Sequence, residues 1–587
     1  MSIEMVRVAD YLLLRLKELG LEKVFQVPGD YVQEFMTALD EFECIDAVGD
    51  LTELGAGYAA DGYARCKGIG AVSVQYGVGT FSVLNAIAGA YVERNPIVVI
   101  TASPSLDDRA VIAQTGALFH HATDDLQADK RVFESVTVAS EILSDKAQAP
   151  CQIDRALTLA MTEKRPIYLE AWQNVWGEKV PAPTAPLLFP LLNVNLNMQT
   201  QLVEDIESRL RVASYPLLLF GIEVARLGLE DKAATLLDVL NVPYTTTTLA
   251  KSVLDESQGT GKSHFIGTYA AEASNPETSY LVNKADAIIA LGAIFTDDYL
   301  TMLTTQSAQL ARVNMSEARV GLNSTYLHIS LEETIDQLIE RFVSRPLNNT
   351  WLQSLQKNYS CHEEYCTITN KDELITYERF FDVFQAALRQ KKTIKEANLI
   401  LGESSSLYMA ARLTGIRQNH FISDAAWGSL GHETGCALGV KLASQRQTIV
   451  IAGDGGFMMM AQALSTLARN QCNCVVFVMS NRVYAIEQSF VDICAFTPNG
   501  DFAPFDELPQ WHYESLAKAF SNSESKIDYF AVESVACLEK VLDHISPLVP
   551  HPTLVEVKIN KHDLAPAIKA LAESVTGKKI AHCQTYK

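Results

Sequence analysis

Short, uninterrupted apolar runs recur along this chain and alternate with longer amphipathic stretches of helical spacing. A strand that is apolar on both sides has to be covered on both sides, which is typical of the parallel strands of α/β proteins. The alternation therefore predicts an α/β fold made of doubly wound parallel sheets. The predicted strands are Ala71–Gln75, Ile97–Thr101, Pro166–Glu170, Leu217–Phe220, Ala287–Leu291, Thr448–Ala452, Val475–Met479 and Thr553–Val557.

Two breaks divide the 587 residues into three segments. The proline-rich passage at residues 178–190 predicts a linker, because prolines fix φ and remove backbone donors. The second break is SRPLNN at residues 344–349, directly after a helical pattern. We therefore predict three α/β domains, at residues 1–180, 190–345 and 355–587.

The charge and the termini exclude several classes of function. The formal net charge is −22 and no basic stripe stands out, so neither nucleic acid nor an anionic membrane is an expected partner. No apolar run reaches the roughly 18 residues of a membrane span, and the charged start of the chain is unlike a signal peptide. The 11 cysteines lack the spacing of a disulfide framework, which predicts reduced thiols and a cytoplasmic protein. Cys361, His362 and Cys366 lack a second ligand pair, so we predict no structural zinc there.

The most specific local motif is a glycine-rich turn at the end of the predicted strand Thr448–Ala452. It reads Gly453-Asp454-Gly455-Gly456 and leads straight into a helical pattern. Free N–H groups at a helix start, with glycines that allow close approach, suit a phosphate group. Asp454 would repel that phosphate unless a hard divalent cation such as Mg²⁺ joined the two. The simpler interpretation is an aspartate that caps a helix.

The following strand ends in Ser480-Asn481-Arg482-Val483 and supplies further oxygen ligands. With this spacing, the two turns resemble the signature of the thiamine diphosphate enzymes. The resemblance implies that Asp454, the Asn481 side chain and the Val483 carbonyl hold Mg²⁺ on the cofactor's diphosphate. Ser480 and Arg482 depart from the family's usual asparagine pair and Asp-Gly, and a backbone carbonyl ligand tolerates that change.

A second motif, Leu51-Thr52-Glu53 followed by LGAGYAADGYAR, is rich in small residues that let other chain segments approach closely. A glutamate at the start of such a buried helix is either a helix-dipole partner or a functional acid. By resemblance to the family, Glu53 is the activating acid, which hydrogen bonds to a pyrimidine nitrogen of thiamine diphosphate. That bond favours the tautomer that removes the thiazolium C2 proton and so forms the ylide.

A third motif, Trp427-Gly428-Ser429-Leu430-Gly431, reads by itself as a glycine-rich turn between a strand and a helix. The resemblance implies that the Gly428 carbonyl accepts a hydrogen bond from the aminopyrimidine and that Leu430 holds the cofactor bent. It also implies cofactor contacts by Ser404 and Ile486, and a substrate pocket bordered by Asp298, Ser404, Tyr408 and Phe490.

Three weaker elements distinguish reactions within the family. They are Asp30 in a turn after a strand, the pair His120-His121, and Glu487, six residues beyond Asn481. Singly, each reads as an ordinary turn, surface or helix residue. Together they resemble the acid–base set of the non-oxidative 2-oxo acid decarboxylases, the group of pyruvate, indolepyruvate and branched-chain oxo acid decarboxylases.

This resemblance implies a lyase that converts a 2-oxo acid to an aldehyde and CO₂ through an ylide and an enamine. It also implies a homodimer or homotetramer, with active sites between the first domain of one subunit and the last domain of another. The alternative within the family is a carboligase that forms acetolactate or an acyloin. Gly77-Val78-Gly79 lacks the third glycine of a dinucleotide-binding turn, and Gly261-Lys262-Ser263 lacks the first glycine of a phosphate-binding P-loop, so neither predicts a nucleotide site.

Overall fold

The computed structural model describes residues 4–190, 193–256, 264–359, 372–546 and 549–583. Its contacts divide the chain into two compact units. The first unit contains residues 1–190, 434–445 and 460–472, and the second contains residues 191–433, 446–459 and 473–587. The domain boundaries predicted from the linkers stay a prediction, because a division by contacts follows packing rather than chain order.

The first unit is built on a six-stranded sheet in which every pair of neighbouring strands is parallel. The inner strand Ile97–Ser103 is buried along its whole length, as expected for an uninterrupted apolar run. Met5–Arg7 and Lys179–Pro181 form a separate antiparallel pair. The order across the sheet is Asp46–Gly49, Lys23–Gln26, Gly70–Ser73, Ile97–Ser103, Ile167–Trp172, Ala139–Leu143.

Helices flank this sheet, and the small residues of Glu53–Lys67 are explained by close packing. Residues 55–64 of that helix are buried, and a side chain on Gly62 would collide with the backbone of Cys436 in the same unit. The helices of this unit are Val8–Glu18, Gln33–Asp40, Glu53–Lys67, Val78–Val92, Leu106–Thr115, Ala128–Phe133, Ala149–Glu163, Ala463–Arg469 and most of His432–Ser444.

The second unit holds two further sheets. The seven-stranded sheet is parallel except for its last two strand pairs, which are antiparallel. The six-stranded sheet is parallel throughout. The seven-stranded order is Phe265–Tyr269, Tyr244–Thr247, Pro216–Phe220, Ala287–Leu291, Leu310–Val313, Glu317–Val320, Ser324–Leu327. The six-stranded order is Phe421–Ser423, Asn398–Leu401, Thr448–Gly453, Cys474–Ser480, Thr553–Lys558, Asp528–Val532.

The helices of the second unit fall into two groups in chain order. Those before residue 360 are Leu196–Val212, Glu223–Arg226, Glu230–Leu240, Pro276–Lys284, Leu300–Thr305, Leu331–Ser344 and Trp351–Tyr359. Those after residue 371 are Tyr377–Gln390, Lys392–Lys395, Ser405–Ala411, Asp454–Met459, Ala485–Asp492, Tyr513–Phe520, Val535–His544 and Pro566–Thr576. Among the described residues, no helix is both long enough and apolar enough to cross a membrane.

The predicted α/β class is confirmed, and all eight predicted strands occur with shifts of no more than two residues at an end. One of the two-residue shifts is at Ala71–Gln75, whose strand ends at Ser73 and leaves Gln75 in the following turn. The predicted parallel sheets are present, and residues 317–327 add two short antiparallel strands at the edge of one of them. Those strands expose every second residue, so they lack the continuous apolar run that marked the others.

The cysteines differ in one respect from the prediction of reduced thiols. Cys494 and Cys583 form a disulfide across 89 residues of sequence. Their spacing has no recognisable framework, so only the fold brings them together. Cys361, His362, Cys366 and the Gly261–Ser263 segment lie outside the described residues.

Candidate active site

The glycine-rich turn and the asparagine turn lie side by side at one sheet edge. They follow adjacent parallel strands, in which Gly453 is paired with Met479. The helix Asp454–Met459 begins directly at the turn, as its sequence predicted. The carboxyl edge of a parallel sheet, beside a helix start, is where α/β proteins hold anionic ligands.

A cavity of about 300 Å³ opens at this edge. All the predicted cofactor-binding residues except Glu53 line it, and so do Val483 and Glu487. Residues distant in sequence are thus gathered around one space large enough for a small molecule. The lining residues are Tyr377, Glu403, Ser404, Ser405, Ser406, Tyr408, Gly428, Leu430, Gly453, Asp454, Gly455, Gly456, Asn481, Val483, Tyr484, Ala485, Ile486 and Glu487.

Asp454 is a buried carboxylate at the centre of the turn. Its Oδ1 accepts a hydrogen bond from the Gly455 N–H at 3.0 Å, and its Oδ2 accepts one from the Arg482 N–H at 2.6 Å. Burial raises the pKa of Asp454 to about 6, although both backbone hydrogen bonds oppose that rise. The charged form of this acid is therefore costly without a bound positive charge.

Two buried polar atoms of the lining have no hydrogen-bond partner among the described residues. They are Nδ2 of Asn481, a residue only 2 % exposed, and Oγ of Ser406. Buried polar atoms are almost always satisfied, so an unsatisfied pair around a cavity indicates a polar occupant. With the Asp454 carboxylate and the Val483 backbone at the same cavity, this donor set fits a diphosphate and a hard cation.

The three glycines of the turn are needed for different physical reasons. A side chain on Gly453 would meet no atom within 4 Å, so the space beside it is open. Side chains on Gly455 or Gly456 would collide with the Tyr484 ring or the Glu433 carboxylate. Internal packing therefore requires two of the glycines that the sequence explained by ligand approach alone.

Two residues of the lining turns adopt backbone conformations that normally favour glycine. Ser404 has φ +70° and the neighbouring Arg482 has φ +63°. Arg482 is one of the departures from the family's usual Asp-Gly, and its N–H still bonds Asp454. Arg482 thus occupies the left-handed region as a non-glycine residue, at a cost of about 1–2 kcal/mol.

The predicted ring-binding turn and acid helix border the same cavity. Gly428 has φ +73°, and its N–H donates to the Asp424 carbonyl at 2.7 Å, which closes a tight turn. Ile486 and Glu487 lie in the first turn of the helix Ala485–Asp492. Burial raises the pKa of Glu487, so this carboxyl keeps a proton to higher pH than an exposed glutamate.

The predicted substrate pocket is only partly assembled at the cavity. Tyr408 lines it, and its hydroxyl donates to Asp298 Oδ2 at 2.9 Å. Asp298 lies in a smaller space behind Tyr408, and burial raises its pKa. Phe490 is 41 % exposed and does not line the cavity.

The four remaining predicted catalytic residues belong to the first unit. Glu53 is the first residue of its helix, half-buried, behind a Thr52 cap that accepts the Gly55 N–H at 3.0 Å. Asp30, His120 and His121 are exposed, and the two imidazole centroids are 6.2 Å apart. The helix is buried as expected, whereas the Glu53 side chain retains solvent access.

Sequence reasoning missed several lining residues. Ser405 and Ser406 follow the strand Asn398–Leu401, so a polar turn after an apolar strand was a usable signal. Glu403 carried the same signal. No comparable sequence signal marked Tyr377 or Tyr484. Tyr377 lies at a helix start and Tyr484 in a loop, and only tertiary packing brings the two residues to the cavity.

The full sequence is similar to known protein families. It matches three family descriptions: "Thiamine pyrophosphate enzyme, N-terminal TPP binding domain" over residues 6–129, the "central domain" over 203–341, and the "C-terminal TPP binding domain" over 403–557. Thiamine pyrophosphate is another name of thiamine diphosphate. The three matches follow the chain in the order of the predicted domains.

Similar curated proteins match along nearly their full length. Pyruvate decarboxylase of Aspergillus fumigatus is 28 % identical, over 98 % of this chain and 97 % of its own. Alpha-keto-acid decarboxylase of Mycobacterium leprae is 28 % identical, over 96 % of this chain and 95 % of its own. Pyruvate decarboxylase 2 of Oryza sativa subsp. japonica is 29 % identical, over 91 % of this chain and 85 % of its own.

Proposed function

This chain belongs to the thiamine pyrophosphate enzymes, and we propose from that premise that it decarboxylates a 2-oxo acid to an aldehyde and CO₂. The observation that carries the proposal is the single cavity that gathers the glycine-rich turn, Asn481, the Gly428–Leu430 turn and Glu487. The names of relatives that match along almost the whole chain support it.

We propose that Mg²⁺ and thiamine diphosphate occupy this cavity. Asp454, the Asn481 side chain and the Val483 carbonyl would hold the cation, and Gly453, Gly455 and Gly456 would border the diphosphate. Ser404, Gly428, Leu430 and Ile486 would contact the rest of the cofactor. When bound, thiamine diphosphate supplies a thiazolium that takes up the electrons left when CO₂ departs.

The protein's own residues would orient the cofactor and transfer protons during the reaction. Leu430 would contact the cofactor between its two rings and the Gly428 carbonyl would accept a hydrogen bond from its aminopyrimidine, which would orient it for reaction. Glu53 would hold a proton at the pyrimidine nitrogen. Asp30, His120, His121 and Glu487 supply and remove protons as the aldehyde forms, a role worth about 10²–10⁴ in rate for one such group.

We propose that the enzyme works as a homodimer or homotetramer, with the first domain of one subunit facing the last domain of another. The half-exposed Glu53 and the exposed Asp30, His120 and His121 support this arrangement, because acid–base groups need a closed surrounding to act on a substrate. We also propose a cytoplasmic location, which the exposed thiols of Cys44 and Cys151 support, because neither belongs to the disulfide.

The Mg²⁺ anchor is tested by Asp454→Ala. We expect this variant to lose Mg²⁺-dependent retention of thiamine diphosphate, because the carboxylate proposed to bind the cation is gone. The measurement is cofactor remaining after gel filtration in the presence of Mg²⁺. Asp528→Ala, which removes a carboxylate from an edge strand of the same sheet, should retain the cofactor. Tight retention by Asp454→Ala would contradict the anchor.

The reaction is tested with purified protein, thiamine diphosphate, Mg²⁺ and a panel of 2-oxo acids. The panel contains pyruvate, 4-methyl-2-oxopentanoate, phenylpyruvate and indolepyruvate. CO₂ and aldehyde in equal amounts are expected from at least one acid. Failure with every acid would refute the function, and an acyloin as main product would instead support the carboligase alternative.

A further inference from the structure

One three-residue turn in the first unit contacts three of its proposed acid–base residues, Asp30, His120 and His121. The turn is Gln75-Tyr76-Gly77, which links the strand Gly70–Ser73 to the helix Val78–Val92. The sequence analysis noted only its last residue, Gly77, as the start of an incomplete dinucleotide-binding motif, Gly77-Val78-Gly79. We refer to these residues as the 75–77 turn.

Gln75 holds Asp30. Its Nε2 donates to Asp30 Oδ1 at 2.7 Å, and the same oxygen accepts the Tyr31 N–H at 3.0 Å. Gln75 is 6 % exposed, whereas Asp30 itself is exposed. Gly29 makes room for the Gln75 side chain, because a side chain at Gly29 would collide with it. An exposed carboxylate is thus oriented by a buried amide.

Tyr76 holds the histidine loop. Its hydroxyl donates to the His120 carbonyl, and its ring lies edge-on to His121 with centroids 6.0 Å apart. Residues 116–127 lie outside the helices and strands of this unit. A hydrogen bond from a buried tyrosine is therefore a fixed point in a loop that has no regular ladder of its own.

Gly77 completes the arrangement. It has φ +66°, and any side chain there would collide with the His121 carbonyl, so the histidine backbone lies directly against this glycine. The buried Asp129 fixes the turn, since its Oδ2 accepts the Gly77 N–H at 2.7 Å and the Thr80 hydroxyl at 2.6 Å. His121 itself adopts φ +67°, a strained conformation that the contact helps to hold.

We propose that Gln75 and Tyr76 are positioning residues for proton transfer by Asp30, His120 and His121. The proposal rests on the function proposed above. One turn contacts three groups that come from two separate loops, the loop of Asp30 and the loop of His120 and His121. Misplacement of such groups by about 1 Å costs on the order of 10²-fold in rate, so the turn is part of the catalytic arrangement rather than only of the fold.

The first test compares Gln75→Leu and Tyr76→Phe with matched controls in the same unit. Gln152→Leu removes an amide that bonds Glu141 and Ile142, and Tyr91→Phe removes a hydroxyl that accepts from Arg165. We expect about 10- to 100-fold lower kcat for aldehyde formation in the two turn variants, with near wild-type rates in the controls. Exchange of the cofactor C2 proton should stay unchanged, because the hydrogen bonds that the two variants remove go to Asp30 and His120 and not to Glu53.

A second readout needs no catalysis. Hydrogen–deuterium exchange, followed by mass spectrometry without substrate, should show faster exchange within residues 116–127 for Tyr76→Phe than for Tyr91→Phe. This measurement separates the two proposals: if no 2-oxo acid is turned over by wild-type protein, the function fails while the positioning contact is still tested. Equal exchange in the two variants would overturn the role of Tyr76.

Gln75→Glu keeps the shape of the side chain and adds a carboxylate beside Asp30. Because two neighbouring carboxyls resist ionising together, the acid limb of the kcat/KM profile should move to higher pH. The other titratable groups of this cluster are Tyr31, Tyr76, Asp108, Arg109 and Asp129, and the variant leaves them in place. If Gln75 has only a structural role, the pH dependence of kcat/KM should not shift in Gln75→Glu. An unshifted profile together with an unchanged kcat in Gln75→Leu would overturn the proposal.

Discussion

At the scale of single residues, the proposed site is marked by strain. Ser404, Arg482 and His121 are not glycines, yet all three have positive φ. Such conformations cost about 1–3 kcal/mol each and persist only where surrounding structure enforces them. Around Arg482 the enforcing contacts are the Asp454 bond and the Leu508 N–H, which donates to the Arg482 carbonyl at 3.0 Å. The sequence gives the identity of these residues but not their φ.

Glu53→Gln should separate cofactor binding from cofactor activation. The diphosphate anchor lies on other residues, so the variant should still retain thiamine diphosphate and Mg²⁺. Exchange of the C2 proton, followed by NMR after acid quench, should slow by about 10²–10⁴, because the amide cannot supply the carboxyl proton. Wild-type exchange rates in Glu53→Gln would contradict the assigned role.

Glu433→Gln should reveal a pH-dependent stability term beneath the glycine-rich turn. Glu433 is fully buried, accepts the Gly431 N–H at 3.1 Å, and burial raises its pKa to about 7 from 4.5. The protonated acid is therefore favoured in the folded state. Its stabilisation is complete below about pH 4.5 and is lost as the pH rises through about 7.

Cofactor-free wild-type protein and Glu433→Gln are compared by thermal melting between pH 5 and pH 8. The glutamine stays neutral, so the Tm of the variant should rise relative to that of the wild type as the pH increases. The expected change in the difference in free energy of unfolding is about 2 kcal/mol. Parallel Tm curves would show that Glu433 does not titrate in this range.

At the scale of elements, the helix Ala485–Asp492 is held from two sides. Its first turn faces the cavity with Ile486 and Glu487. Its end runs into a short 3₁₀ turn, Ile493–Phe496, whose Cys494 is joined to Cys583 near the end of the described chain. Apolar contacts among Val483, Ala485, Phe496, Leu564 and Ile580 support the same junction. The carboxyl-terminal segment thus fixes an element that borders the cavity.

Cys583→Ser should lower the Tm, because the disulfide restricts a loop of 89 residues in the unfolded chain. The chain-entropy account gives an upper value of about 4–5 kcal/mol for a loop of that length. Differential scanning fluorimetry with and without dithiothreitol measures the effect. Wild type and the control Cys537→Ser should both lose stability on reduction, whereas Cys583→Ser should not respond. An equal response in all three proteins would contradict a stabilising disulfide.

At the scale of the whole molecule, the first unit presents apolar side chains close in sequence to its proposed catalytic groups. Leu51 is 54 % exposed, Val78 is 54 % exposed and Phe81 is 38 % exposed. Leu51 precedes Glu53 by two residues, and Val78 follows the 75–77 turn directly. Exposed apolar groups beside catalytic ones fit the proposed face between subunits.

Phe81→Asp should therefore weaken subunit assembly and aldehyde formation together. A charge on a face that is covered in the assembly is costly, whereas the same charge in a free subunit is solvated. Size-exclusion chromatography with light scattering, combined with activity across a dilution series, measures both. Wild type is expected as a dimer or tetramer, and the variant as a folded, inactive monomer. A fully active monomer would refute sites shared between subunits.

Much of this protein was predictable from sequence because its signals are local. Continuous apolar runs specify parallel strands, and Gly453–Gly456 with Asn481 specify two turns at the carboxyl ends of such strands. The cavity confirms that the two turns lie together. The sequence did not show that Tyr377 and Tyr484 reach the same cavity, that Cys494 meets Cys583, or that Gln75 orients Asp30. Those relations join residues with no shared local pattern, so only the packing of complete elements determines them.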